Sequence, residues 1–82
     1  MWSTGTIWMN DGKTGYDYQV KHYEEPSDVF GIEGGKVSKL HIKKREQCWG
    51  NAIVSYERGW DRPCPDNDEV KAVYATLIEK YN

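Results

Sequence analysis

Little in these 82 residues marks a familiar class of activity. There are only two cysteines, three prolines, two methionines and one phenylalanine. Two thiols, Cys48 and Cys64, do not make the dense disulfide framework of a small secreted domain. Mean hydropathy is -0.86, and no apolar run approaches the roughly 20 residues that a membrane helix needs. A net charge of -2 leaves no surplus of cations for non-specific nucleic-acid binding. No repeat, linker or low-complexity tract interrupts the chain. One domain over residues 1–82 is therefore expected, with a thin core, since a chain this short buries about 60–65% of its unfolded surface.

Recognisable catalytic and ligand motifs are also missing. Gly34-Gly35-Lys36 brings a phosphate-binding loop to mind but fails its pattern. The first glycine would fall where Phe30 stands, and Val37 replaces the hydroxyl residue that holds magnesium. The glycines are expected to permit a tight turn, with a backbone nest for an anion as the alternative. His22, His41, Cys48 and Cys64 are ligand types without paired spacing, so no metal is expected. No Ser/His/Asp or Cys/His arrangement appears. The close carboxylates Glu24-Glu25 and Asp66/Asp68 fall in a loop and at a helix start. A non-enzymatic protein without a cofactor is expected.

Aromatic residues are what the chain has in excess: 13%, made of four Trp, six Tyr and one Phe. Charge is segregated as well. Glu24, Glu25, Asp28 and Glu33 are followed by Lys36, Lys39, Lys43, Lys44 and Arg45 with no acid among them. Adjacent segments of opposite sign can neutralise each other, or the basic run can make a local positive patch.

Trp2–Met9 and Tyr16–Tyr23 flank Asp11-Gly12, a hairpin signal in which both central residues take positive φ. Lys36–Lys44 alternates as a third strand and Ala52–Glu57 forms a fourth. Gln47–Asn51 reads as a turn and Arg58–Pro65 as a loop. Asp66 then caps a helix, with Glu69 completing a capping box and Pro65 and Val70 placed as a hydrophobic staple. Val70, Val73, Tyr74, Leu77, Ile78 and Tyr81 form one apolar stripe, and Lys80 suits the last turn. The expected fold is α+β: a four-stranded antiparallel meander with one C-terminal amphipathic helix on one face, ββββα.

A two-residue turn at Asp11-Gly12 opposes Ile7 to Tyr16, Gly5 to Tyr18 and Ser3 to Val20. Opposed residues share a face, so Ser3, Gly5, Ile7, Met9, Tyr16, Tyr18 and Val20 should lie under the helix with Leu40 and Ile42. The other face then holds Trp2, Thr4, Thr6, Trp8, Asp17, Gln19, Lys21, Val37, Lys39, His41 and Lys43. A single helix leaves that face open. Trp2 and Trp8 on it either fold onto small neighbours such as Gly15, or anchor a protein partner or second copy, or stack a ligand carrying negative charge. In the loop, Trp60 either plugs the base of the core while Arg58 and Arg62 pair with Glu57 and Asp61, or forms a cation–π lip.

The chain resembles a family of short uncharacterised proteins from Gram-positive bacteria and their phages. The likeness is carried by Met1-Trp2, Gly5-Thr6-Ile7, Tyr18-Gln19-Val20-Lys21, Gly31-Ile32, Gly34-Gly35-Lys36-Val37-Ser38-Lys39-Leu40, Tyr56-Glu57-Arg58-Gly59-Trp60-Asp61 and Lys80-Tyr81-Asn82. None of these motifs is tied to an activity. The resemblance implies a phage-type accessory context, in which small proteins antagonise host defence by binding an immune protein or sequestering its nucleotide signal. The expected function is accordingly stoichiometric capture of a nucleotide signal by a homo-oligomer in the cytoplasm, the host's if phage-encoded. The start Met1-Trp2-Ser3-Thr4-Gly5 has neither the basic nor the apolar region of a secretory signal, which leads to the same compartment and to reduced thiols. Trp2, Trp8 and Trp60 would stack, and Lys21, Lys36, Lys39, Lys43, Arg58 and Arg62 would hold phosphate. Inhibition of a host defence protein through the open face is the alternative, and a structural accessory role a third.

Overall fold

Asp11 organises the first hairpin. One carboxylate oxygen accepts from the backbone N–H groups of Lys13 and Thr14 at 2.8 Å each, and Thr14 Oγ1 donates to the other at 2.7 Å. Those bonds, the Thr14 backbone first, hold the Asp11 carboxyl below its usual range. Only Gly12 takes a positive φ, at 70°, and Met9 N–H donates to the Thr14 carbonyl at 2.8 Å. The turn is thus a four-residue loop, Asn10–Lys13, held by an aspartate side chain, not a pair of positive-φ residues. Both forms place Asn10 opposite Lys13, so the register is unchanged. Strand β1 (Trp2–Trp8) pairs with β2 (Gly15–His22) with Ser3 opposite Val20, Gly5 opposite Tyr18 and Ile7 opposite Tyr16.

The computed structural model describes residues 1–82 and contains five strands, not four. After β3 (Val37–Lys44) and β4 (Val54–Glu57), a short β5 (Trp60–Arg62) completes an antiparallel meander in the order β1-β2-β3-β4-β5. The expected loop 58–65 turns back at Arg58, whose φ is 59°, and the Glu57 N–H donates to the Gly59 carbonyl at 2.9 Å. Trp60 then lies opposite Tyr56, and Arg62 opposite Ser55. Three residues are too few to show an alternation of their own, and Pro63 follows directly. The neighbouring strand, not local pattern, makes this segment extended.

Strand β3 holds a second departure. Lys21 is opposite Lys39 but His22 is opposite Val37, so Ser38 is an extra residue in the ladder. A bulge reverses the alternation beyond it. Val37, expected on the open face, is thereby turned to the helix side and is buried.

Helix α1 (Asp68–Tyr81) begins one residue later than the capping box requires. Asn67, not Asp66, is the cap, its side chain accepting from the Val70 N–H at 3.1 Å. Asp66 pairs instead with Lys71, and Glu69 accepts from the Tyr16 hydroxyl at 2.8 Å. The stripe packs as its period implies: Val70, Val73 and Leu77 are buried, with Tyr74, Ile78 and Tyr81 at the margin. They meet Tyr16, Tyr18, Val20, Leu40, Ile42, Val54 and Tyr56 from the sheet and Ile32 from the long loop. Each fully buried aliphatic side chain contributes about 1.5–3 kcal/mol. No helix is long and apolar enough to cross a membrane.

Candidate functional site: the open sheet face

The face away from α1 is built around Asp17. Its carboxylate takes Lys43 Nζ at 2.9 Å, Arg45 Nη1 at 3.1 Å and Thr6 Oγ1 at 2.7 Å. Burial pushes the Asp17 carboxyl upward, but the hydrogen bonds from Lys43 and Thr6 and the Lys43 charge outweigh it. The group is held below the usual carboxylate range. Lys43 is only 6% exposed and donates also to the carbonyls of Lys44 and Arg45, at 3.4 and 3.2 Å. Its donors are engaged within the fold, which removes it from the cations free to meet a phosphate.

Three tryptophans lie over this face, each beside a cation. Lys21 sits 6.0 Å from the Trp2 ring, Arg45 5.4 Å from Trp8 and Lys43 5.1 Å from Trp49. The electron-rich ring faces attract these cations and hold the indoles in place. Trp8 also lies on Gly15, where an added Cβ would come within 3.0 Å of the ring. Trp2 and Trp8 nevertheless remain 49% and 52% exposed. Trp8 thus folds over a small neighbour and still stays wet.

Trp49 is a candidate-site residue that the sequence reading did not single out. It stands in a single 3-10 turn, Trp49–Asn51, between β3 and β4, and its ring reaches back over Lys43 to the strands. It borders a depression of about 350 Å³ together with Thr4, Gly5, Thr6, Asp17, Tyr18 and Gln19. A second hollow of about 290 Å³, lined by Trp2, Thr4 and Gln19, shares two of those residues. The result is a polar trough with Trp49 along one part and Trp2 along the other. Its only sequence signal is a tryptophan four residues after the last base of a basic run.

Lys21 and Lys39 are opposed across β2 and β3 on this same face, near Trp2. Lys21 also lies 5.7 Å from the Tyr23 ring, and this nearby ammonium holds the Tyr23 hydroxyl below its ordinary value. Neither lysine has a carboxylate within ion-pair distance, and Glu57, which lies opposite Lys39 across β3 and β4, is turned to His41. His41 lies further in; its Nε2 is 3.1 Å from Glu57 Oε1, and its Nδ1 is buried without a partner.

The other predicted site residues lie elsewhere. Trp60 is on the helix side, in edge contact with Tyr56 at 4.9 Å and 5.9 Å from the Tyr74 ring. Being 46% exposed, it seals the margin of the core without entering it. Arg62 spends its guanidinium on the carbonyls of Ala52 and Gly50, at 2.9 and 3.3 Å. Arg58 rests 5.3 Å from the Phe30 ring. Neither arginine forms the ion pair expected with Glu57 or Asp61, and Glu57 meets His41 instead. Lys36 is exposed in the loop leading into β3. Of the predicted site residues only Trp2 lines the trough; Trp8, Lys21, Lys39 and Lys43 share the open face with it, and Lys36, Arg58, Trp60 and Arg62 lie off it.

Two further candidates resolve locally. The glycine turn is occupied from within: Asn82 Oδ1 accepts from the Val37 N–H at 3.0 Å, and an added Cβ on Gly35 would collide with the Asn82 amide. The protein's own amide thus fills the place an anion would take. His22 and His41 project to opposite faces, since His22 bonds Ser3 Oγ at 2.9 Å and stacks on Tyr81. No group of three His, Cys, Asp or Glu side chains converges. Cys48 is exposed and Cys64 half-buried, both as free thiols, and burial pushes the Cys64 thiol up.

Residues 1–82 match a domain of unknown function, DUF7678, and the chain belongs to that family. Neither a curated protein nor a solved structure matches it.

Proposed function

We propose that this member of the DUF7678 family is a non-enzymatic binding protein whose trough takes a small nucleotide. The carrying observation is the shared hollow of Thr4 and Gln19, flanked by Trp49 and Trp2, with Lys21 beside the Trp2 ring and Lys39 opposite Lys21. Its volume lies at the lower end of small-ligand sites, about 300–1,000 Å³. An aromatic base stacks on an exposed indole for about 1–3 kcal/mol. Thr4 and Gln19 offer donors and acceptors to its edge. Lys21 and Lys39 answer the phosphate charge that Asp17, already neutralised by Lys43 and Arg45, does not repel. The setting we assign is a phage-type accessory protein of Gram-positive hosts, acting in the cytoplasm. There, removal of a nucleotide signal blunts defence.

Tryptophan fluorescence titrated with a panel of cyclic and linear nucleotides tests this. Quenching is expected with at least one nucleotide, to be lost in Trp49→Phe and weakened about tenfold or more in Lys21→Ala. Trp60→Phe, on the opposite face, is expected to retain it. A flat response across the panel would sink the proposal. A second reading, docking of a host defence protein on the same face, is favoured by the half-exposed Trp2 and Trp8. Its mark is a prey protein captured by the parent chain and lost with Trp8→Ala.

A further inference from the structure

The two edges of the sheet are unlike. Strand β5 is three residues long, carries Asp61 and Arg62, and is followed by Pro63. Short length, charge and proline are the devices that stop an edge from pairing with another chain. Strand β1, at the other edge, has none of them. It runs seven residues, Trp2-Ser3-Thr4-Gly5-Thr6-Ile7-Trp8, without a charge, a proline or a bulge.

The hydrogen-bond parity says which groups of β1 are free. Met1 and His22 exchange bonds, the Met1 amine to the His22 carbonyl at 3.1 Å and the His22 N–H to the Met1 carbonyl at 2.9 Å. Met9 N–H donates to Thr14 at the far end of the ladder. Odd-numbered residues therefore bond inward to β2, and the N–H and C=O groups of Trp2, Thr4, Thr6 and Trp8 point outward. None of these outward groups has a backbone or side-chain partner outside the β1–β2 ladder.

The strand also reads nearly the same in both directions about Gly5. Trp2 mirrors Trp8 and Thr4 mirrors Thr6; only Ser3 and Ile7 differ. We propose that β1 pairs antiparallel with β1 of a second copy, on a two-fold axis through Gly5, making one continuous sheet. In that register Trp2 faces the partner subunit's Trp8 and Thr4 faces the partner subunit's Thr6. Even residues meet even residues, as the outward groups require, so each of these pairs exchanges both backbone bonds. Aromatic and Thr–Thr pairs are favourable cross-strand neighbours, and an isologous contact must be self-complementary in this way. The glycine on the axis is an opposed non-bonded pair, where strands approach most closely. Each half-exposed Trp gains an aromatic neighbour across the seam. An unrelated strand would satisfy the backbone groups but not the palindrome, and for that reason the occupant is a second copy.

Sedimentation equilibrium of the whole chain tests this. The parent is expected at twice its 9.5 kDa mass. Thr4→Pro removes an outward N–H that β2 does not use, a position where an edge strand tolerates proline. It is expected to weaken dimerisation about ten- to hundredfold while far-UV circular dichroism remains that of the parent. Thr4→Lys, which sets like charges diagonally across the axis, is expected to do the same and decides the matter should the proline variant unfold. In the parent dimer an isotope-filtered NOE between Ser3 Hα of one copy and Ile7 Hα of the other marks the register. A parent that stays at 9.5 kDa up to about 1 mM overturns the proposal. Folded Thr4→Lys protein that keeps the dimer mass overturns it too, because the contact then lies on another surface.

Discussion

Asn82 joins three parts of the fold that are remote in sequence, so its amide makes a quantitative test. Oδ1 accepts from the Val37 N–H at 3.0 Å, Nδ2 donates to the Ile32 carbonyl at 3.1 Å, and its own N–H donates to the Ile78 carbonyl at 3.0 Å. Val37 and Ile32 are both buried, so water cannot easily replace the lost partner. Asn82→Ala leaves the buried Val37 N–H unmet, at about 1–3 kcal/mol, while the Ile32 carbonyl keeps its bond from the Gly35 N–H at 2.8 Å. Truncation opens a path for water beside Gly35, which places the expected cost in the lower half of that range, at about 1–2 kcal/mol. A domain of this size has about 4–12 kcal/mol in total. The thermal midpoint should fall by roughly 5–15 °C.

Asn82→Asp sharpens the test. The ionised side chain still accepts from Val37 but sets a carboxylate oxygen against the Ile32 carbonyl. Protonation restores a donor there, so the folded-state pKa of the new group rises above its free value of about 3.9. A raised pKa contributes stability that is complete below the unfolded value and lost as pH rises through the folded value. Urea denaturation followed by circular dichroism should therefore show Asn82→Asp approaching the parent near pH 3 (about one unit below the free value) and falling behind it at neutral pH. Two results would refute the reasoning: both variants within about 0.5 kcal/mol of the parent, the scatter expected of inert surface changes, or an Asp variant whose deficit ignores pH.

Two more perturbations follow from the titratable groups. The Tyr16 hydroxyl is pushed up to about 12 by burial, by its hydrogen bond to Glu69 and by nearby negative charge. Its contribution should be intact below the unfolded value of about 10 and lost as pH rises from there through the folded value, roughly 2–3 kcal/mol in all. Alkaline urea titrations should show that slope, and a Tyr16→Phe variant with the same slope would count against it. Asp17, held low, contributes stability present above the ordinary carboxylate pKa and lost as pH falls through the folded value. Asp17→Asn strands the buried Lys43 and should cost about 1–3 kcal/mol, with a shift in Trp49 emission as the lysine leaves the ring; an unchanged spectrum and midpoint would contradict the network.

Most of the sheet was legible in the chain, because strand register depends on neighbours only a few residues apart. Asp11-Gly12 and the alternation about it place Gly5 opposite Tyr18, and the turn's actual geometry does not alter that pairing. Helix α1 was equally plain from its stripe. Its cap moved by one residue because Asn67 and Asp66 are near-equivalent caps, and Glu69 was drawn to Tyr16, a partner invisible from local sequence. The site was half legible. Trp2, Lys21 and Lys39 stand in alternation on one strand face, whereas Trp49 arrives from a turn whose path depends on where β3 and β4 part.

Periodicity and turn chemistry by themselves determined an antiparallel meander, a terminal helix, and an open face carrying Trp2 and Trp8. Those properties repeat every two or about 3.6 residues, so short stretches of chain contain them. Tertiary structure alone decided the rest. It added β5 by pairing Trp60 with Tyr56, turned Val37 inward through the bulge at Ser38, and closed the glycine loop with Asn82. It also drew Trp49 over Lys43, and committed that lysine to Asp17 in place of a ligand. Each of these depends on a single contact between distant residues, for which no repeating pattern exists to be read.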